Sequence, residues 1–379
     1  MTTALAKQTH TLGHQHVGSF LRPDKLKQAR AQFEAGDISA ADLKNVEDDA
    51  IRTLVAQQKA AGLDVVTDGE FRRSYWHLDF FWGFEGVAHE HYGEGYQFAH
   101  EETRDDTAIL RGKFTFDPAT HPFVEHFKFL KAVADEAGVD AKITIPAPAQ
   151  LLLELERGTN AETIQAFYNS REALFADIIT GYRAAIEALY AAGARTVQLD
   201  DCTWGTLVDP KIQVIFANIG LDIEQVKQDF LALNNGVLTE WPEDLTFNTH
   251  VCRGNYHSDW AAEGGYESVA DALFGQEQVN AYFLEFDSER AGGFEPLAKV
   301  SGDKKVVLGL VTSKSGELED KQVIIDRIQE AAQYLPLERL WLSTQCGFAS
   351  TEEGNILTEA QQWAKIKLVN DVIAEVWGE

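Results

Sequence analysis

A histidine and a cysteine stand one residue apart in TFNTHVCRGNYHSD, Thr246 to Asp259, in a chain of 379 residues with only three cysteines. On a β-strand, positions i and i+2 point to the same face, so His250 and Cys252 would aim at one point. Two further residues of ligand type end similar apolar runs, Glu285 in AYFLEFD and Cys346 in LWLSTQCG. Two thiolates, an imidazole and a carboxylate make a tetrahedral zinc set, and the sulfur content excludes magnesium or calcium. Taken singly, a buried cysteine is more often a small hydrophobe, and Glu285 could be a paired structural carboxylate. The metal reading therefore rests on all four meeting. Cys202, just past Asp200 and Asp201, reads as a packed thiol.

Other polar residues stand where apolar runs end. Glu70 in DVVTDGE, with Asp200 and Asp201 in TVQLDD, suits a substrate ammonium group. The alternative is local pairing with Arg72 and Arg73. Gly18 and Ser19 in HVGSF could offer an N–H and a hydroxyl to a carboxylate, or form a plain turn. Zinc, an ammonium site and a carboxylate site together describe an amino acid with a thiol side chain. Zinc turns a bound thiol into thiolate near neutral pH, so the expected chemistry is S-alkylation and not hydrolysis.

The elements that must position these residues are eight β-rich runs, at 16–20, 64–70, 142–148, 196–201, 246–252, 281–287, 306–313 and 340–347. Helical patterns lie between or after them, clearest at 161–193, 320–335 and 358–377. Eight strands alternating with helices predict an α/β fold, a (β/α)8 TIM barrel, whose active site sits where strands run out into βα loops. The polar stretch at about 85–125 is expected to be a hairpin-bearing insertion after the second strand. Its His89, His91 and His100 read as solvated and not as ligands, since no cysteine or apolar shell accompanies them. No interior linker marks a boundary, so the expectation is one domain over 1–379.

Hydrophobic content of 45% and charged content of 25% are those of a soluble globular protein. A formal net charge of −27 argues against nucleic acid and anionic membranes as partners. The N-terminal MTTALAKQTHTLGHQH has no apolar core of a signal peptide, and no run approaches the ~18 apolar residues of a membrane span. Three cysteines make no disulfide framework, which points to a reducing compartment, the cytoplasm. A homo-oligomer stays open.

HVGSF, VVTDGEFRR, VQLDD, H-x-C, Glu285 and TQCGF follow one another as in the catalytic barrel of cobalamin-independent methionine synthases, and the chain resembles that family from His16 to the last helix. The resemblance implies that His250, Cys252, Glu285 and Cys346 bind Zn2+. It implies that Ser19, Glu70 and Asp200 hold the amino and carboxylate groups of homocysteine. The implied reaction is methyl transfer to the homocysteine thiolate, giving methionine. The donor stays open between methyltetrahydrofolate with few glutamates, a methylated corrinoid protein and another methyl compound. Departures fall on the donor side. The family's two-barrel members carry a further barrel that helps bind the folate's polyglutamyl tail, and this chain matches only the catalytic one. Thr312 stands at the family's proton-donor histidine and Thr206 at a folate-contacting glutamate. Lys314 is a candidate replacement acid, or a solvated lysine. Trp76, Trp82 and Trp204 could give a flat donor an aromatic surface or simply pack the core. Two rival readings are alkylation of another thiol, such as coenzyme M, and a non-catalytic zinc barrel that binds a thiol amino acid.

Overall fold

The computed structural model describes residues 12–218 and 220–378; most of the N-terminal stretch read above for a leader lies outside them. Seven parallel strands form one curled sheet in the order β1-β4-β5-β6-β7-β8-β9. They are β1 (Val65–Val66), β4 (Asp140–Pro146), β5 (Thr196–Asp201), β6 (Thr246–Val251), β7 (Ala281–Glu285), β8 (Lys305–Val311) and β9 (Leu340–Thr344). The remaining two, β2 (Glu85–His91) and β3 (Asp106–Thr115), pair antiparallel as a separate hairpin after the first strand of the sheet. Sheet strands such as Val306 to Val311 are buried on both faces, as parallel strands covered by helices must be. This is the (β/α)8 architecture.

The eighth expected strand, HVGSF, forms no ladder. Its segment takes the place between β9 and β1 through one parallel bridge, Gln15 to Val65, and through side chains. The Lys142 ammonium donates to the carbonyls of His16 (2.7 Å) and Val17 (3.3 Å), Gln198 Nε2 donates to Val17 O (2.7 Å), and Thr67 Oγ1 donates to Gly18 O (2.7 Å). Carbonyls captured from the barrel interior are lost to ladder pairing, so the segment dips inward instead of running as a strand. On its other side the Phe348 N–H donates to Ser19 O at 2.9 Å, which ties it to the end of β9.

The strand bounds are shorter than the apolar runs. Thr67 leaves the ladder because Gln58 takes both its N–H (3.1 Å) and its C=O (2.8 Å). The helical stretch 161–193 is two helices, Ala161–Phe167 and Arg171–Ala191, separated where Tyr168 is extended and Ser170 caps the second by accepting from Ala173 N. Helices Lys321–Ala331 and Glu359–Val376 fall where expected, the latter opened by a Thr358/Gln361 capping box.

Candidate metal centre and active site

Parallel register sets the site. Asp200 on β5 pairs with His250 on β6, and Glu285 ends β7 beside them. Cys252 follows β6 by one residue and Cys346 follows β9 by two. One ligand atom each from His250, Cys252, Glu285 and Cys346 lies within 4.8 Å of the others, and all four side chains are buried. The Cys252 and Cys346 sulfurs are 3.8 Å apart, and His250 Nε2 is 3.4 Å from Cys346 Sγ. An edge between two thiolates on a tetrahedral zinc at ~2.3 Å spans about 3.8 Å, so the spacing matches a shared ion.

Crowding and burial disfavour ionised thiols in this cluster unless a cation joins it. Hydrogen bonding to Cys202 first, then burial and the neighbouring thiol and carboxylate charge, push the Cys252 thiol well above its ordinary range. Cys346 is pushed up by its contact with Cys252 and by burial. Burial pulls His250 down, but the Cys346 and Glu285 charges outweigh that and raise it. Glu285 Oε1 accepts from Arg253 N at 3.1 Å, while the buried Oε2 has no partner. His250 Nδ1 meets Phe283 O at 3.2 Å, which turns Nε2 toward the cluster. An orphaned carboxylate oxygen, an oriented imidazole and two crowded thiols fit a soft divalent ion. Cys202 lies against Cys252, closer to the cluster than a simply packed thiol, but outside the four that share one point.

A cavity of about 490 Å³ opens over this cluster, lined among others by Ser19, Glu70, Asp200, His250, Cys252 and Cys346. Glu70 reaches it from an unusual backbone. Gly69 and Glu70 both have positive φ, at 66° and 61°. A side chain at position 69 would stand 2.4 Å from Leu54 Cδ2, which accounts for the glycine. Arg22 holds the turn by donating to Glu70 O at 2.7 Å, and Asp68 accepts from Glu70 N at 2.9 Å. Burial lifts the Glu70 carboxyl to about 7, with Arg73 at 3.5 Å pulling it down and Asp200 pushing it up. Asp200 is likewise raised to about 7 by burial, against its hydrogen bond from Gln198. Glu70 Oε2 is buried without a partner. Burial raises both carboxyls, and a cationic guest would favour their charged forms. Ser19 packs tightly against Gly347, where a side chain would meet its Oγ at 2.1 Å.

Several expectations part from the geometry. Asp201 faces away from the cavity, bonded to Thr203 and to Asn234 (2.9 Å), because neighbouring strand residues point to opposite faces. Arg72 pairs with Glu47 and Asp48 and not with the site acids. Of the three tryptophans only Trp76 lines the cavity; Trp204 packs on Phe230 and Trp82 stacks on His89. Thr206 lines it as well, whereas Thr312 does not, and Lys314 Nζ is held by Gly254 O (3.1 Å) and Asn255 Oδ1 (2.9 Å).

The hairpin does more than sit in solvent. Its tip contributes Tyr96 and Phe98 to the cavity wall and docks on the loop after β6 through Ala99 N to Trp260 O (2.8 Å) and through His100 on Asp259. The repeated aromatics of YGEGYQF were the available signal. His89 and His91 remain largely exposed, each paired with a carboxylate, Asp106 (2.6 Å) and Asp105 (3.0 Å). His77 and Tyr256 also line the cavity and carry no sequence motif.

Two thiols, an imidazole and a carboxylate thus meet at strand ends beneath one cavity, at the end of the barrel where such folds carry their active sites. Residues 13–100 and 147–365 match the cobalamin-independent synthase catalytic domain, and the chain belongs to that family. An uncharacterized Bacillus subtilis protein, YxjH, is 43% identical over 363 residues, 96% of this chain and 94% of its own. A methionine synthase of Sulfurisphaera tokodaii is 24% identical, covering 87% of this chain and 84% of that protein. A solved Listeria monocytogenes structure, provisionally assigned as a vitamin-B12-independent methionine synthase, superposes with a TM-score of 0.74 at 35% identity, covering 97% and 98% of the two chains. No helix among the described residues is long and apolar enough to cross a membrane.

Proposed function

We propose that the protein is a zinc-dependent, cytoplasmic methyltransferase that methylates the thiol of homocysteine to form methionine. The carrying observation is that the four-residue cluster and the Glu70–Asp200 carboxyl pair face one cavity. His250, Cys252, Glu285 and Cys346 would hold the ion, and zinc bound there would keep a substrate thiol as thiolate near neutral pH. Glu70 and Asp200 take the ammonium, giving up their shared protons as it enters, and Ser19 holds the carboxylate. A sulfonate thiol such as coenzyme M would meet those same carboxylates and be repelled, so homocysteine is the better acceptor. The methyl donor would be methyltetrahydrofolate or, as the second choice, a methylcorrinoid.

Calorimetry in two buffers of different ionisation enthalpy tests the acceptor half. Homocysteine should bind the zinc-loaded protein with release of protons, from its thiol and from the carboxyl pair. Coenzyme M should not compete. Equal binding of homocysteine to zinc-loaded and metal-stripped protein would refute the reading.

A further inference from the structure

The hairpin of β2 and β3 carries a second group of ligand-type side chains, apart from the strand-end cluster. Among the described residues only these two places bring three or more His, Cys, Asp or Glu ligand atoms within 4.8 Å of one another, and here they belong to His89, His91 and Asp106. Strand geometry puts them together. His89 and His91 are two apart on β2, so both imidazoles stand on one face of the ribbon. Asp106 on β3 is the cross-strand partner of His91, which places its carboxylate on that face as well. Glu90, between the histidines, points the other way and pairs with Arg111 at 3.0 Å.

Asp106 Oδ1 is the meeting point. It lies 2.6 Å from His89 Nε2 and 3.9 Å from His91 Nδ1. Ligands about 2.1 Å from one ion stand roughly 3.0 Å apart in an octahedron and roughly 3.4 Å apart in a tetrahedron, so the two distances bracket a shared ion. Asp105 Oδ1, 3.0 Å from the same His91 nitrogen, adds a second carboxylate. Arg104 Nε is 3.7 Å from the other Asp106 oxygen, but its charge is shared with Glu352 (2.6 Å) and Glu353 (3.3 Å). With neutral imidazoles the face therefore holds more carboxylate than cation, which suits a divalent guest. The site is also braced. Trp82 stacks on His89 with ring centroids 4.0 Å apart, and its indole N–H donates to Thr107 O of β3 at 3.1 Å. That no cysteine stands here rules out a sulfur-bound ion but not imidazole and carboxylate coordination.

We propose that His89, His91 and Asp106 form a second metal site, for a divalent first-row transition ion such as nickel or zinc, at the neck of the hairpin. Unlike the strand-end cluster it is free of sulfur, and none of its three residues lines the cavity. The tip between the two strands supplies Tyr96, Phe98 and Thr103 to the cavity wall. An ion bound to both strands ties them together directly beneath that tip.

Nickel titrated into the zinc-loaded protein tests this, followed by calorimetry and by tryptophan fluorescence. One nickel should bind per chain at the hairpin and quench Trp82, a change that Trp82→Phe removes. His89→Ala, His91→Ala and Asp106→Asn should each weaken binding at least about tenfold, since even an outer partner of a ligand is worth that much. His91 is 70% exposed, so its replacement is the one least able to disturb the fold. Glu90→Gln, on the opposite face, should leave the affinity unchanged. Nickel should also slow exchange of the Tyr96 and Thr103 amides. The measurement uses neither homocysteine nor turnover and leaves the strand-end ligands in place, so its failure is distinct from failure of the methyl-transfer reading. Equal nickel affinity in wild type and His91→Ala overturns the proposal, as does a loss with Glu90→Gln as large as with His91→Ala. Unchanged exchange in the tip would refute the tie to the cavity wall.

Discussion

Replacing Glu70 by glutamine should stabilise the fold at alkaline pH while removing the site's grip on an ammonium group. The wild-type carboxyl is 3% exposed and sits at about 7 instead of its ordinary 4.5, first because of burial. A raised carboxyl binds its proton more tightly in the folded chain than in the unfolded one. Stability is therefore unaffected below about pH 4.5, falls between there and about 7, and stays lower above that. A shift of about 2.5 units at ~1.36 kcal/mol each puts the penalty near 3 kcal/mol by pH 8. Asp200 titrates with it as a pair, so this is the upper end for one residue. Glutamine carries no such charge and can still accept from Thr144 Oγ1, which lies 2.9 Å from Glu70 Oε1. Urea unfolding of both proteins from pH 4 to 8 measures the difference. It should be near zero at pH 4 and grow to about 2–3 kcal/mol in favour of Glu70→Gln at pH 8. A difference that does not change with pH, or that favours the wild type more as pH rises, would refute the electrostatic account of this turn.

Three other outcomes follow from the geometry. Cys346→Ser should lower zinc affinity by more than the roughly 10–100-fold that losing an outer partner costs; competition with a chelator measures it, and unchanged affinity would remove Cys346 from the ligand set. Gly69→Ala should cost about 2–4 kcal/mol, because it adds left-handed strain to a contact at 2.4 Å with Leu54; an unchanged denaturation midpoint would show that the turn adapts freely. Lys142→Met should leave the His16 and Val17 carbonyls short of a donor, so that amides from 14 to 20 exchange faster while β6 and β7 stay protected.

The parts of the site that could be read in the sequence are those fixed by strand periodicity. His250 and Cys252 sit two apart at a strand end, and Glu285 and Cys346 end their own runs, so their convergence follows once the barrel is assumed. The same period correctly opposes Asp200 to Asp201, a consequence that treating both as ammonium ligands had ignored. Segment 16–20 was illegible as a non-strand because its ladder is displaced by Lys142, Gln198 and Thr67, residues distant in sequence. The break at Ser170 is a local cap inside a continuous helical pattern, and periodicity does not register it. The aromatic wall was hidden for a different reason. Tyr96 and Phe98 sit in a polar hairpin whose docking depends on contacts with Trp260 and Asp259, and composition alone reads such a loop as solvated.

The central claim is that the four-residue cluster is a metal site at which a substrate thiol is held. Zinc X-ray absorption on the loaded protein, with and without homocysteine, tests it most directly. The account predicts two sulfur neighbours at ~2.3 Å in the free protein and a third when homocysteine is added. Two sulfurs in both states, or no zinc retained by the intact cluster, would contradict it.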